Sequence, residues 1–336
     1  MRLWEVFTGR CVWHAAELAA GAAALAWNPN PEHHVLAVAG GGGVVLVETG
    51  TARGGDVDLT RALLAKPAEE EEEAAEKERD ADEDEADAAA PKQRKAATTV
   101  AAWTAKTVGG RRVVRAALAA PARSVAWHGR GDYLVTVSPD AIASMQCVVH
   151  RASKRDSQAP LKRGDKGGAV QCATFHPNKP FLFVATRTAV RVYHLAKQEL
   201  VKTLRSGVKW ISCIDVHPSG DHVLVGSRDR RTVWFDMDLG ERAYKTLKYH
   251  DKALRAVRYH KRYPLMATCG DDGRAHVFHA KVYEDLMTNP LLVPVKTLNA
   301  HSPKSGVGAL DIKFHPTQPW LFSCGADGNV HLFHAL

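Results

Sequence analysis

The stretch ALDIKFHPTQPWLFSCGADGNVHLF, residues 309–333, determines the predicted fold. It contains three short β-type runs: 309–314, 320–324 and 330–333. A His-Pro turn at His315 separates the first two runs, and the polar turn Gly325–Gly328 separates the second from the third. Short apolar runs bounded by Gly, Pro and Asp favour antiparallel strands over helices. This stretch therefore predicts three successive strands of a meander.

The same pattern recurs along the chain, where an apolar residue is followed by His and often by Pro. Weaker copies begin at Trp27 and Trp127, and from Trp127 onward the intervals are 48, 41, 43 and 55 residues. The stronger copies are Phe175-His176-Pro177, Val216-His217-Pro218, Tyr259-His260 and Phe314-His315-Pro316. A four-stranded blade of a WD-repeat β-propeller needs about 40–45 residues. We therefore predict an all-β propeller that occupies residues 1–336 as one domain.

The predicted blades do not form a complete set. The chain opens on a third strand near Arg2 and a fourth near Cys11, and it closes on a third strand. Six copies have a first strand. We expect a seven-bladed propeller with six blades largely present, one blade partial, and an upstream segment missing. A gap or mismatched blade should then separate Arg2–His14 from Val330–Phe333.

The charge of the chain is distributed unevenly. Residues 67–90 carry 13 acidic and two basic side chains, so their net charge is −11. Because the whole chain carries +8, the remainder carries +19. Such a basic body suggests a polyanionic partner, although surface charge for solubility is the alternative. We predict that residues 67–98, the acidic tract and the basic run Lys92-Gln93-Arg94-Lys95, form a disordered insertion within the propeller.

Chemistry-bearing motifs are missing from the sequence. The six cysteines include no C-x-x-C pair, and the 17 histidines include no H-E-x-x-H spacing. Gly40–Gly43 precedes the β-type run Val44–Val47, whereas a phosphate-binding loop needs a following helix. We therefore predict a protein that is not an enzyme, with no catalytic, cofactor or metal site, and we expect no membrane span. The only predicted helix is Val282–Met287.

Strand topology predicts one candidate binding face. In a four-stranded meander, the turns between strands two and three emerge at the same end as the connections into the next blade. Basic residues occupy both kinds of segment, and Asp229, Asp251, Asp271 and Asp272 dilute their charge. We expect this face to contact RNA phosphates or a partner through Arg187, Lys209, Arg228, Arg230, Arg231, Lys252, Arg274 and Lys304. Solvated loop charge is the alternative interpretation.

The last hundred residues resemble the propeller of the Block-of-proliferation family of large-subunit ribosome assembly factors. The resemblance rests on Trp234-Phe235-Asp236, Val282-Tyr283-Glu284-Asp285-Leu286 and the ending from Phe314. The opening Arg2-Leu3-Trp4-Glu5-Val6 is also similar, whereas residues 50–165 diverge. WD repeats commonly place a His before the first strand of a blade, where it hydrogen-bonds within the blade. His250 and His301 match this position, and the turn acids Asp272 and Asp327 are expected to have the matching structural role.

The resemblance implies a non-catalytic scaffold of the nucleolus and nucleoplasm. Such a scaffold docks a second WD-repeat protein, a Pescadillo-type protein, the pre-60S particle and rRNA during pre-rRNA processing. The Pescadillo-type partner is expected to bind a long N-terminal region that this chain lacks. The alternative is a generic WD-repeat adaptor for peptide or ubiquitin-ligase partners.

Overall fold

A computed structural model describes residues 1–6, 8–15, 21–51, 58–65, 100–160, 168–283 and 290–334. The chain divides into two compact units, Met1–Arg163 and Gly164–Leu336. The predicted insertion 67–98 lies outside the described residues, as does most of the predicted helix Val282–Met287. Nearly all regular structure in the described residues is β-strand, so the predicted all-β fold class is confirmed. No helix among these residues is long and apolar enough to cross a membrane.

The first unit contains three antiparallel sheets. A two-stranded sheet pairs β1 (Arg2–Trp4) with β2 (Cys11–His14). A five-stranded sheet has the order β3-β4-β5-β7-β6 and is formed by β3 (Ala24–Trp27), β4 (Val35–Gly40), β5 (Gly43–Glu48), β6 (Ala102–Val108) and β7 (Arg111–Ala117). The third sheet contains β8 (Ser124–Trp127), β9 (Tyr133–Val137), β10 (Cys147–Arg151) and β11 (Asp156–Gln158). Two short helices, α1 (Thr60–Leu63) and a 3₁₀ turn (Ala143–Met145), connect strands.

The five-stranded sheet departs from the predicted four strands per repeat. The β6–β7 hairpin folds back so that β7, rather than β6, pairs with β5. The reason is apolar content: β7 buries Val113, Val114 and Ala116, whereas β6 buries none of its residues. The later strand therefore takes the fourth position, and β6 is added at the edge.

The second unit contains three four-stranded sheets and one three-stranded sheet, each a simple antiparallel meander. The first has β12 (Cys172–Phe175), β13 (Phe181–Ala185), β14 (Ala189–His194) and β15 (Glu199–Arg205). The second has β16 (Ile211–Val216), β17 (His222–Ser227), β18 (Thr232–Asp236) and β19 (Lys245–Leu247). The third has β20 (Leu254–Tyr259), β21 (Leu265–Gly270), β22 (Arg274–Lys281) and β23 (Leu291–Asn299). The last has β24 (Ala309–Phe314), β25 (Leu321–Gly325) and β26 (Val330–Phe333).

The middle strands of these sheets form the core of the second unit. Every residue of β17 and β18 is buried, because neighbouring sheets cover both of their faces. Phe183, Trp234, Phe235 and Phe278 are among the largest fully buried side chains. Burying each such side chain contributes about 1.5–3 kcal/mol. The fourth strands β15 and β23 are mostly exposed, as expected for the outer edge of a meander.

The recurrent histidines stabilise the turns between the first and second strands. Nδ1 of His176 accepts the backbone N–H groups of Asn178 and Lys179 at 3.0 and 2.9 Å. His260 accepts those of the residues two and three positions later at 2.9 and 3.0 Å. His315 does the same at 3.3 and 3.1 Å. These rings therefore satisfy backbone donors of a repeated turn.

Candidate polyanion-binding face

A buried His–Asp pair connects the two kinds of segment that form the candidate face. His250 lies in the connection before β20, and its Nδ1 is 2.9 Å from Oδ2 of Asp272, in the turn between β21 and β22. Its Nε2 is 2.8 Å from Oγ1 of Thr268 on β21. His301 repeats the arrangement before β24, with Nδ1 3.0 Å from Oδ1 of Asp327. In both sheets, the incoming connection is thus held against the turn between strands two and three.

Asp272 remains charged in this environment. Burial alone would raise the pKa of its carboxyl group, but the hydrogen bond with His250 and two backbone N–H donors lower the pKa to about 2. The carboxylate is therefore ionised at neutral pH and fixes the position of the turn.

Trp210 is the centre of the candidate face one sheet earlier. It lies at the end of the connection between β15 and β16, and its Nε1 donates to Oε1 of Gln171 at 3.1 Å. The guanidinium carbons of Arg187 and Arg228 lie over its ring, 4.6 and 4.4 Å from the centroid. Arg187 belongs to the turn between β13 and β14, and Arg228 to the turn between β17 and β18. We use the name Trp210 cluster for five residues: Trp210, Arg187, Arg228, Lys209 and Arg230.

Backbone hydrogen bonds hold the two turns against Trp210. The N–H of Arg228 donates to the carbonyl of Trp210 at 2.9 Å, and the N–H of Ile211 donates to the carbonyl of Arg187 at 2.8 Å. Because both guanidinium carbons lie within 4.6 Å of one ring centroid, their separation is at most about one Debye length at 0.1 M salt. Two like charges held at this distance favour an anion that can lie close to both.

The arginines of the Trp210 cluster have no acidic partner among the described residues. Arg187, Arg228 and Arg230 are exposed and form no ion pair there. Asp229 is nearby, but its Oδ2 accepts the backbone N–H of Lys209. Asp229 keeps its negative charge but forms no ion pair with these arginines among the described residues, so their guanidiniums can still bind an external anion.

Of the remaining predicted residues, Arg231 shares the turn of Arg228, whereas the other three lie at the same end of later sheets and have different partners. Nη1 of Arg274 is 3.3 Å from Oδ2 of Asp251, an exposed ion pair. Nζ of Lys304 donates to the carbonyl of Asp327 at 3.2 Å. Lys252 and Arg231 are exposed. The structure therefore brings Arg187 and Arg228 together on one ring, and it does not bring Lys252, Arg274 or Lys304 to that ring.

Sequence reasoning missed Trp210 itself. The signal was a tryptophan next to Lys209 in a short polar connection, because a large aromatic residue outside a strand needs a partner for its face. Aromatic side chains flanked by basic residues are the combination that stacks on nucleic-acid bases and contacts phosphates. Here the two guanidiniums already cover the ring of Trp210, so the candidate site is a pair of arginines held on an aromatic support.

Arg230 adopts a backbone conformation that favours glycine. Its φ is +67°, in a turn whose equivalents in the next two sheets place Gly273 at +78° and Gly328 at +86°. A non-glycine residue in this region costs about 1 kcal/mol relative to glycine. The turn therefore accepts a strained arginine where glycine would fit better, which favours a role in binding over a role in stability.

Replacing Arg230 by glycine should separate stability from binding. Arg230→Gly is expected to raise the free energy of unfolding by up to about 1 kcal/mol, because the strain is removed. It should also weaken RNA binding several-fold, because one positive charge is lost. Thermal denaturation and RNA titration of the same preparation measure both effects. A destabilised variant with unchanged RNA affinity would show that Arg230 serves the fold.

Comparisons with known proteins agree with this architecture. The family model described as "WD domain, G-beta repeat" matches residues 198–236, 242–279 and 292–334. Ribosome biogenesis protein BOP1 of Homo sapiens is 42% identical over 336 residues, covering 99% of this chain and 41% of the human protein. Ribosome biogenesis protein bop1 of Danio rerio is 41% identical over 333 residues, covering 99% and 40%. Ribosome biogenesis protein ERB1 of Malassezia globosa is 56% identical over 213 residues, covering 62% and 24%.

The antiparallel meanders, their His–Asp pairs and the matched repeats define this chain as a WD-repeat β-propeller protein. The predicted resemblance is also confirmed, since the similarity to BOP1 extends over nearly the whole chain. The chain belongs to the Block-of-proliferation (BOP1/ERB1) family. It spans about two fifths of the length of the vertebrate relatives and about a quarter of the fungal one.

Proposed function

We propose that this chain is a non-catalytic scaffold in the biogenesis of the large ribosomal subunit, and that its basic face contacts pre-ribosomal RNA. Two observations support the proposal. The similar proteins are named ribosome biogenesis proteins, and the Trp210 cluster supplies charges suited to a phosphate backbone. The cluster carries the proposed contact with RNA, and the names of the relatives carry the proposed place in ribosome biogenesis.

The physical case depends on how polyanions bind. Each phosphate that a lysine or arginine neutralises releases condensed counterions, which makes binding favourable and dependent on salt. Arg187 and Arg228 are exposed and unpaired among the described residues, and Trp210 limits the rotation of both side chains. Side chains already held in place lose less conformational entropy when they bind phosphate. The cluster should therefore bind RNA more strongly than the same number of mobile loop charges.

We further propose that the scaffold acts in the nucleolus and nucleoplasm on pre-60S particles. Its protein partners would be a second WD-repeat protein and a Pescadillo-type protein, the latter through a region outside this chain. Connecting loops at the ends of the meanders suit such docking, because they can vary while the strands keep the fold. The 67–98 tract is proposed to be an insertion that leaves the propeller strands in place.

Association with ribosomal precursors tests the proposal. The tagged protein, expressed in its own cells, should co-purify with large-subunit precursor rRNA, and this rRNA should be enriched at least ten-fold over small-subunit precursors. Sedimentation of the lysate, followed by hybridisation to each precursor rRNA, measures the enrichment. A tagged unrelated propeller provides the background.

The alternative function gives a different result. An adaptor for peptides or for a ubiquitin ligase should retain its protein partners after ribonuclease treatment and should show no precursor enrichment. That outcome would overturn the proposed role in ribosome assembly, whatever the affinity of the chain for RNA in vitro.

A further inference from the structure

A second histidine lies beside the His250–Asp272 pair. His276 is on β22, and its ring centroid is 4.5 Å from that of His250 at an interplanar angle of 79°. One ligand atom from each of His250, Asp272 and His276 lies within 4.8 Å of the other two. The three side chains come from a connection, a turn and a strand, so three separate segments fix the cluster.

Threonine hydroxyl groups orient both imidazole rings. Nε2 of His250 is 2.8 Å from Oγ1 of Thr268, and Nδ1 of His276 is 3.0 Å from Oγ1 of Thr297 on β23. A metal ion would take the place of the proton that Nδ1 of His250 shares with Asp272. Nε2 of His250 and Nδ1 of His276 can then donate to the two hydroxyl groups, which leaves the lone pairs of Nδ1 of His250 and Nε2 of His276 for the ion. Histidines that bind metals use this arrangement, with the second nitrogen donating to an outer partner.

Nε2 of His276 has no hydrogen-bond partner among the described residues, although it is buried. The His276 residue is only 7% exposed. A buried polar atom without a partner destabilises the folded chain, and a bound ion or water would satisfy it.

We propose that His250, Asp272 and His276 form a binding site for a divalent transition-metal ion of the Zn²⁺ type. Two imidazole nitrogens and one carboxylate are ligands that zinc accepts at about 2.0–2.2 Å. Tetrahedral geometry places such donors about 3.3 Å apart, so His276 must tilt toward the pair. The ion would also replace the hydrogen bond between His250 and Asp272 with two coordinate bonds.

The charge around the cluster is mixed. Asp272 is ionised, and Asp251, in the same connection as His250, adds a second negative charge close to His276. Arg274 opposes a cation, but its guanidinium is paired with Asp251. Two carboxylates against one arginine leave a net charge that favours a cation, and a solvent molecule would supply the fourth ligand.

The next sheet provides an internal comparison. His301, Asp327 and His331 repeat the three ligand types within the same 4.8 Å limit. His331, however, is only half-buried, and its ring has no hydroxyl partner among the described residues. His331 therefore lacks an outer partner comparable with the one that Thr297 provides for His276. The second cluster should bind the ion more weakly for this reason.

Metal titration of the whole chain tests this site. After chelator treatment and dialysis, the protein is titrated with Co²⁺, followed by visible absorption, and with Zn²⁺, followed by calorimetry. We expect one tight equivalent in the wild type. His276→Phe keeps an aromatic ring beside Tyr249 and Phe278 and should lower the affinity at least ten-fold. His331→Phe is the matched control and should leave the tight equivalent within two-fold of wild type.

A second variant separates binding from folding. Thr297 is exposed, so Thr297→Val should leave the apo protein folded, as thermal denaturation can verify. Loss of the hydroxyl that orients His276 should still weaken binding by about 10–100-fold. The proposal is overturned if the wild type binds no stoichiometric Zn²⁺, or if the tight equivalent survives both His276→Phe and Thr297→Val. None of these readouts depends on RNA, so this site and the proposed function can fail independently.

Discussion

Changing Arg228, Arg230 and Arg231 to glutamate is expected to weaken RNA binding by on the order of 100-fold near 0.1 M salt. All three arginines lie in the turn between β17 and β18 and are exposed, and none has an ion-pair partner among the described residues. Removing three phosphate contacts should also reduce the slope of log affinity against log salt by about 2. Titration of a single-stranded RNA at several salt concentrations measures both quantities.

A charge-matched control separates a specific face from general electrostatics. Arg130, Lys261 and Arg262 are exposed in turns between first and second strands, at the opposite end of their sheets, and like the three arginines they form no ion pair among the described residues. Reversing these three changes the net charge equally, but we expect it to lower RNA affinity less than five-fold. Equal losses in both triple variants would mean that net charge alone drives binding. No loss in the first variant would exclude this face as the RNA site.

The strands were predictable because turn chemistry marks their ends. The run predicted at Ala309–Phe314 is β24, and the run predicted at Val330–Phe333 is β26, with the same bounds. The His-Pro turn at His315 fixes where β24 ends, and the turn Gly325–Gly328 fixes where β26 can begin. Residues that form hydrogen bonds with the turn backbone therefore predict strand boundaries better than strand propensity does. Strand propensity is weak and depends on context.

The β6–β7 hairpin was not predicted, because its position depends on competition between two strands. Either strand could follow β5, and local sequence does not decide which one pairs with it. The choice depends on burial: β7 contributes three buried apolar side chains and β6 none. Burial depends on residues that are distant in the sequence, so no short segment of sequence contains this information.

The candidate sites could likewise be predicted only in part from the sequence. Antiparallel topology alone predicts that Arg187 and Arg228 lie at one end of their sheets, and the structure places both on the ring of Trp210. Topology does not predict that ring contact, because it depends on side-chain orientation. The expected absence of a metal site rested on ligand spacing within the sequence. His250 and His276 meet only because β22 follows the turn that holds Asp272.

Substitution of two tryptophans of the second unit should affect stability and RNA binding in opposite ways. Trp234 on β18 is fully buried, and its Nε1 donates to Nδ1 of His222 at 3.2 Å. Trp234→Ala removes a large core side chain and leaves a cavity, which should cost about 3–5 kcal/mol. Trp210 is only half-buried and supports the two arginines. Trp210→Ala should cost less stability but weaken RNA binding about ten-fold, because each of the two arginine side chains must then be ordered on binding at a cost of about 0.5–1.5 kcal/mol.

Thermal denaturation and RNA titration of both variants test this separation. The melting temperature should fall by roughly 10 °C in Trp234→Ala, and RNA affinity below that temperature should stay within two-fold of wild type. If Trp234→Ala does not fold, Trp234→Phe keeps an aromatic ring but loses the indole N–H, and it should show a smaller fall in melting temperature with the same unchanged affinity. In Trp210→Ala the affinity should fall while the melting temperature changes by a few degrees at most. If instead both tryptophan variants lose RNA affinity only in proportion to their loss of folded protein, Trp210 has no role in binding, because its ring would then act only through the stability of the sheet.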